Sequence, residues 1–302
     1  MLRKKIVGLL LPALAVSQMA LSQPAAQAGQ KPHWPKVDLN VVVVDKSGQP
    51  QGSLDKSAFH VFENGTERPI DSVAAGDAPI SLALLIDTSG STYGNRDTVA
   101  AVATAVIRSL PPGSEVMAVL FSNIAFIDLP FTPAQPAPVR FLERLDSRGA
   151  TAFYDALVAT ENHIAANAKN PRRAIVVLSD GSDNASTLNL AQAIRRIQEE
   201  PDAPTVYFVG MPEPRAHFNE RFRSHRIIEL LTSRVGGVEI AAGKDLDAAG
   251  LSARVAALIR SQFVISFTAA GAPDDRYRKL EVRVDPANLE IHALQGYFAA
   301  AQ

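Results

Sequence analysis

The feature that most constrains the fold is a short apolar run that ends abruptly in oxygen-bearing side chains. Residues 81–86 form the run, and the polar segment 87–91 follows it at once. A continuous apolar run of this length is typical of a strand buried on both faces in a parallel sheet. Ligands of open α/β sheets bind where such strands end. The carboxylate of Asp87 and the hydroxyls of Ser89 and Ser91 are therefore predicted at a binding edge.

From residue 81 onwards, apolar strand patterns alternate with helical spacing. This alternation is typical of an α/β fold with a mostly parallel central sheet and helices on both faces. The predicted strands are 81–86, 115–121, 174–178, 205–209 and 238–241, and the predicted helices are 99–110, 139–145, one opened by residues 148–151, 188–198 and 219–234.

Both flanks of this region are rich in strand patterns. The first flank has strands at 37–45, 59–63 and 66–70 with a tight Asn64-Gly65 turn, followed by a loop at 71–79. The second has a helix at 246–260 and strands at 263–267, 279–284 and 289–294, with Gly296-Tyr297-Phe298 at the end. A few strands alone are marginally stable, so we expect the two flanks to pack together as one accessory sheet.

The N-terminus is predicted to be a signal peptide, residues 1–28. Basic residues 3–5 precede an apolar run at 6–16, and Ala26-Gln27-Ala28 forms a cleavage box. A cut after Ser22 is the alternative, and an uncleaved anchor helix is less favoured because the run is short for a membrane span. We therefore expect an exported bacterial protein in the periplasm, the extracellular space or the cell surface.

Composition excludes several classes of function. The chain has no cysteine, so disulfides, thiolate metal sites and a cysteine nucleophile are ruled out. Its net charge of −1 comes from interspersed basic and acidic residues, which argues against nucleic acid as a partner. No glycine-rich loop with a lysine is present to bind a nucleotide.

Three segments bring oxygen donors to the same predicted edge of the sheet. Asp87, Ser89 and Ser91 follow the first core strand, Thr151 lies behind Gly149 at a helix N-terminus, and Asp180 ends the strand at 174–178. Two carboxylates and three hydroxyls suit a hard cation, Mg²⁺ or else Mn²⁺ or Ca²⁺.

These segments resemble the metal-ion-dependent adhesion site of von Willebrand factor A domains in their order and spacing. Residues 59–65, with Gly296 and Tyr297, further resemble exported bacterial proteins with the acidobacterial-type domain of this family. The resemblance implies a Rossmann-like von Willebrand A domain with flanking β segments. We assign 29–78 to an N-terminal β segment, 79–243 to the A-type domain, and 244–302 to a C-terminal helix and strand segment.

The resemblance also implies roles for the site residues. Ser89, Ser91 and Thr151 would contribute hydroxyls to the cation, and Asp87 and Asp180 would bind it directly or through water. Ala150 stands where the family often has a second glycine. Because neutral hydroxyls leave the cation under-neutralised, it can accept an acidic side chain from a protein partner as its last ligand.

We therefore expect a binding or adhesion module and not an enzyme. The alternative is a structural or assembly subunit of an envelope complex whose metal only stabilises it, with a hydrolase as a distant third. Segment 87–91 alone also fits an ordinary capped loop. An aspartic protease is disfavoured because Ser89 interrupts the Asp-Thr-Gly triplet, and Ser89 lacks the glycine elbow of a hydrolase nucleophile.

Other polar residues have open interpretations. Asp183 would add a ligand or simply be solvated, and His60 and His163 are expected to be structural or surface residues. A basic run either borders the metal face and selects an acidic partner or forms a solvated surface. Its members are Arg215, His217, Arg221, Arg223, His225 and Arg226.

Overall fold

The structure of the protein is a computed structural model that describes residues 36–76, 78–211, 218–241, 247–271 and 274–299. The predicted signal peptide lies outside these residues. In the described part no helix is both long and apolar enough to cross a membrane. The three-part division of the chain at residues 79 and 244 stays a prediction.

The central sheet has six strands, in the order β10-β9-β8-β5-β6-β7. Its strands are β5 (Ile80–Asp87), β6 (Glu115–Phe121), β7 (Ala125–Pro133), β8 (Arg172–Ser179), β9 (Thr205–Gly210) and β10 (Val238–Ala241). All pairings are parallel except that of β7 with β6.

Within the described residues, five α-helices cover this sheet on both faces. They are α1 (Arg96–Ser109), α2 (Phe153–Asn167), α3 (Leu190–Ile197), α4 (Phe218–Val235) and α5 (Ala248–Arg260). Side chains of α1 and α5 share one core cluster with Leu82 and Leu84 of β5, whereas those of α2, α3 and α4 share the other with Ala83 and Leu85. Every residue of β5 is buried, so the predicted α/β fold with a buried central strand is confirmed.

The strand order places β5 at the point where the chain changes direction across the sheet. From β5 the chain crosses through α1 to β6 on one side, and then returns through α2 to β8 on the other side. The crevice outside such a switch point is the ordinary ligand site of open α/β sheets. Asp87 and Ser179, the last residues of β5 and β8, lie at this position.

The two flanks of the chain pair with each other, but in two sheets. One has the order β13-β1-β11-β4 and the other β14-β12-β2-β3, so each contains strands from both flanks. The expectation of one accessory sheet was therefore wrong in number, although the flanks do pair. These strands are β1 (Lys36–Val44), β2 (Phe59–Glu63), β3 (Thr66–Arg68), β4 (Ile70–Ala74), β11 (Phe263–Thr268), β12 (Tyr277–Val284), β13 (Glu290–Ala293) and β14 (Gly296–Phe298).

Three local predictions were wrong. The loop predicted at 71–79 contains most of β4, which is strand because it pairs with β11. The proline-rich segment after β6, for which the sequence predicts a loop, contains β7, whose alternating pattern is broken by Pro130 and by irregular register. The helix predicted at 139–145 is a short 3₁₀ helix, Arg140–Arg144.

Candidate metal centre

Asp87 is the last residue of β5, and its carboxylate is buried with both oxygens hydrogen-bonded. Oδ1 accepts the backbone N–H of Ser89 at 2.8 Å, and Oδ2 accepts the hydroxyl of Ser179 at 2.6 Å. Burial raises the pKa of Asp87 to about 6, against the lowering effect of these two hydrogen bonds, and the charge of Asp180 raises it a little further. A cation beside Asp87 would offset the cost of burying the charged carboxylate, because it favours the ionised form.

Two hydroxyls of the first loop lie side by side. The Oγ atoms of Ser89 and Ser91 are 3.1 Å apart, and Ser89 is buried. The Thr92 hydroxyl donates to the carbonyl oxygens of Ser89 at 2.8 Å and Asp87 at 3.1 Å, which fixes the turn. The serines at alternate positions of the sequence thus place two hydroxyl oxygens side by side.

The second loop lies directly on the first. The N–H of Gly90 donates to the carbonyl of Gly149 at 3.2 Å, and the N–H of Arg148 donates to the carbonyl of Thr88 at 2.8 Å. Gly149 has φ of 88°, a conformation that glycine adopts without strain. These contacts bring the Thr151 segment to the edge predicted for it.

Thr151 is buried and bound by its backbone to the third loop. Its N–H donates to the Oδ1 of Asn184 at 2.8 Å, and its carbonyl accepts the N–H of Asn184 at 2.9 Å and of Ala185 at 3.0 Å. The backbone of Thr151 is therefore satisfied by protein groups.

Asp180 has one carboxylate oxygen without a hydrogen-bond partner among the described residues. Its Oδ1 accepts the N–H of Ser182 at 2.9 Å and the Ser182 hydroxyl at 2.7 Å. Its Oδ2 is buried, and within the described residues no hydrogen-bond partner reaches it. A buried carboxylate oxygen without a partner is costly and calls for a water or a cation.

The three loops thus meet, and the donors at their meeting point are mainly hydroxyls. Asp87 and Asp180 are close enough for their charges to interact. Across the described part of the chain, no three His, Cys, Asp or Glu side chains converge as a metal site. A cation here would take most of its ligands from Ser89, Ser91 and Thr151, which suits a hard ion.

Comparison with known proteins identifies this region. Residues 82–182 match the family model of the von Willebrand factor type A domain. The chain contains a von Willebrand factor type A domain. The match runs from Leu82 in β5 to Ser182, in the loop that joins β8 to α3. No match was found among the curated proteins.

Solved structures with a similar arrangement were also found. They include a von Willebrand factor type A protein from Catenulispora acidiphila (15% identity, 89% of this chain and 74% of that one, TM-score 0.48). The PilB minor pilin from Streptococcus sanguinis is 14% identical, with 64% of this chain and 63% of that chain covered and a TM-score of 0.47. An aerotolerance-related membrane protein from Bacteroides fragilis is 16% identical, with 60% of this chain and 98% of that chain covered and a TM-score of 0.43. Likenesses of this strength carry no information on ligand or partner.

Asp183, just beyond the matched residues of the A domain, has a structural role. Its Oδ2 accepts the N–H of Tyr154 at 3.0 Å and the Ser186 hydroxyl at 2.5 Å. The carboxylate therefore caps the first turn of α2, where negative charge is favourable. Neither predicted alternative, extra ligand or solvated residue, described this role.

Sequence reasoning missed Ser179, Asn123 and Asn184. Ser179 holds Asp87, Asn123 accepts the N–H of Ala150 at 3.0 Å, and Asn184 holds the backbone of Thr151. Each acts across the space between loops, and no spacing in the chain marks such a partner. The position of Ser179 at a strand end beside Asp180 was the available hint.

The remaining polar candidates lie in ordinary surface settings. The Nδ1 of His60 contacts Glu67 at 2.8 Å, and His163 stacks on Phe131. Arg215 and His217 lie outside the described residues, as does the side chain of Arg221. In α4, Arg223 is exposed, His225 contacts Glu239 at 2.7 Å, and Arg226 lies over the ring of Phe222.

Proposed function

We propose that this protein binds a divalent cation through Asp87, Ser89, Ser91, Thr151 and Asp180, and binds a protein ligand through that cation. Mg²⁺ is the expected ion, with Mn²⁺ or Ca²⁺ as substitutes, because all five donors are hard oxygens. The match to the von Willebrand factor type A domain supports a binding module.

The observation that carries the proposal is the buried Oδ2 of Asp180. This oxygen has no hydrogen-bond partner among the described residues, while Oδ1 of the same carboxylate has two. A cation would satisfy Oδ2 and would share the charge of Asp87, whose pKa burial raises. The same cation would also draw in the paired hydroxyls of Ser89 and Ser91.

The donor set favours binding over catalysis. When Asp87 and Asp180 act through water, the three neutral hydroxyls in direct contact leave the charge of a divalent ion unbalanced in its first shell. An acidic side chain of a partner would then complete that shell. We propose no enzymatic role, since a nucleophile would need a nearby base to activate it. The N-terminal pattern at residues 1–28 supports export as part of the proposal.

Calorimetric titration of Mg²⁺ and Mn²⁺ into metal-stripped mature protein tests the site. We expect saturable binding in the wild type and its loss in Asp180→Ala. Asp97→Ala is the matched control, because Asp97 is an exposed carboxylate in the first turn of α1. Absence of binding at millimolar metal by folded wild-type protein would overturn the proposal.

A second measurement separates partner binding from a metal that only stabilises an assembly subunit. Both hypotheses predict that Mg²⁺ raises the melting temperature of the wild type by mass action. Partner capture that requires Mg²⁺, and that fails in folded Asp180→Ala, supports adhesion. Capture that is unchanged by chelator supports the stabilising role instead.

A further inference from the structure

An apolar stretch of the chain is exposed at the start of β7. Ile124, Phe126 and Ile127 are exposed by 72%, 48% and 43%, and they are three of the seven large hydrophobic side chains that are exposed among the described residues. Single exposed apolar side chains are ordinary on protein surfaces. Three of them within four residues form a patch, which is typical of a surface that contacts another molecule.

This stretch follows a turn that is hydrogen-bonded to the loop of Thr151. The carbonyl of Ser122 accepts the N–H of Ala152 at 2.7 Å, and the Oδ1 of Asn123 accepts the N–H of Ala150 at 3.0 Å. The two bonds lie on either side of Thr151 in the sequence. Ile124 is therefore next to the candidate metal centre, and β7 leads away from the centre because it runs antiparallel to β6.

The strand that carries the patch is an edge strand of the central sheet. β7 pairs with β6 and is the last strand in the order, so in the described part of the chain no strand pairs with its outer side. Backbone groups that point away from β6 are available to an extended segment of another chain. Addition of a strand to such an edge is a common way of binding a peptide segment.

The features that protect an edge from pairing are confined to the far part of β7. Regular pairing with β6 covers residues 125–127, and the register becomes irregular after them. Asp128, Pro130 and Pro133 also lie in this far part. Irregular register, charge and proline all oppose the addition of a strand. The part of β7 that is open to another strand is therefore the part nearest the metal centre.

The second loop of the site carries an excess of positive charge in its local ion pairs. Arg96 and Arg148 both contact Asp146, at 3.1 Å and 2.9 Å, so that two guanidiniums share one carboxylate. The side chain of Arg148 is 83% exposed, and its backbone N–H donates to the carbonyl of Thr88 in the first loop. Together with a bound cation, this charge favours a carboxylate on the incoming segment.

We propose that the protein partner supplies an extended segment that adds to β7 along residues 124–127 and places an acidic residue at the metal centre. Main-chain hydrogen bonds to the edge would hold the segment, and its apolar side chains would cover Phe126 and Ile127. Its carboxylate would complete the shell of the cation, a step that rests on the proposed function. Recognition thus combines a charge at one end of the segment with an apolar strand beside it.

Selection of random peptides displayed on phage, with the Mg²⁺-loaded protein as the target, tests this inference. We expect the enriched peptides to contain Asp or Glu next to a run of β-branched or aromatic residues, and to be released by a chelator. Binding of the synthetic peptide should be lost when its acid is replaced by the corresponding amide. Hydrogen exchange of the amides of residues 124–127 should slow when the peptide binds, because strand addition protects outward-pointing N–H groups.

The decisive variant is Phe126→Lys, since lysine on an edge opposes strand pairing. It should weaken peptide binding about tenfold or more while Mg²⁺ affinity stays that of the wild type. Ile127→Lys is a second variant in case the first does not fold. Leu230→Lys is the matched control, because Leu230 of α4 is 44% exposed, and it should bind the peptide like the wild type.

The outcomes separate this inference from the proposed function. Unchanged peptide affinity in both folded lysine variants, or unchanged exchange of residues 124–127, would overturn strand addition. Failure to enrich any Mg²⁺-dependent peptide on protein that binds Mg²⁺ would overturn it and leave the metal site intact, whereas absence of Mg²⁺ binding would overturn the proposed function. Self-association of the protein that Phe126→Lys abolishes would show that a second copy covers the edge, and would also overturn the inference.

Discussion

The hydroxyl of Ser179 donates a 2.6 Å hydrogen bond to the Oδ2 of Asp87, and so ties together the ends of the two central strands β8 and β5. The Oγ of Ser179 also accepts the N–H of Gly181 at 3.1 Å, which sets the direction of the Asp180 loop. Ser179 thus positions both carboxylates of the candidate metal centre without being a proposed ligand.

Replacing Ser179 with alanine should therefore weaken the fold and the cation site together. The change leaves a buried carboxylate oxygen and a backbone N–H without their partner, which costs about 1–3 kcal/mol. Urea unfolding should show this loss, and calorimetry should show weaker Mg²⁺ binding. Ser233→Ala, at an exposed serine of α4, is the control and should change neither. Wild-type Mg²⁺ affinity in folded Ser179→Ala would argue against the positioning role.

Gly149 joins the second loop to the first, and alanine there should disrupt this contact. Its φ of 88° disfavours any side chain, and an added Cβ would lie 2.1 Å from the Oδ1 of Asn123. Asn123 would have to rotate and give up the N–H of Ala150. We expect a loss of about 1 kcal/mol from the backbone conformation and about 1 kcal/mol more from the broken hydrogen bond.

Gly65→Ala is a matched control for this variant. Gly65 has φ of 79°, but nothing lies within 4 Å of the position of an added Cβ. It should show the backbone cost alone, with unchanged Mg²⁺ affinity. Equal unfolding free energies for the two variants would mean that the contact with Asn123 contributes nothing.

The sequence predicted the central fold and the three site loops because their causes are local. The run before Asp87 is apolar since β5 is buried on both faces, and alternate serines follow it. Pairing between strands that lie far apart in the sequence leaves no such local pattern. Leu39 pairs with Ile265 across most of the chain, so the number of accessory sheets could not be deduced. Asn184 likewise reaches Thr151 only through the folded loops.

The accessory strands are held together by the buried Glu63, and this predicts a role for Tyr297. The Tyr297 hydroxyl donates to Glu63 Oε1 at 2.6 Å, while Oε2 accepts the N–H of Ala270 at 2.6 Å. Tyr297→Phe should cost about 1–3 kcal/mol of unfolding free energy, since it leaves a buried charged oxygen with a weaker partner. Tyr277→Phe, at a more exposed tyrosine, should cost less in the same urea titration. The reverse order would contradict this assignment.

His292 of β13 predicts how stability responds to acid. Burial lowers its pKa, although Glu290 and a backbone hydrogen bond with Gly237 act in the opposite direction. The folded protein therefore favours the neutral imidazole. Its contribution to stability is present above the unfolded pKa of about 6.5, and is lost as the pH falls and the unfolded chain takes up the proton first.

Substituting His292 with glutamine should remove this part of the pH dependence. The difference in unfolding free energy between wild type and His292→Gln should shift in favour of the variant between pH 7.5 and pH 5, by about 1.4 kcal/mol for each unit of lowered pKa. His225→Gln, at an exposed histidine of α4, provides the comparison. Parallel curves for wild type and His292→Gln would show that burial of this imidazole does not oppose its protonation.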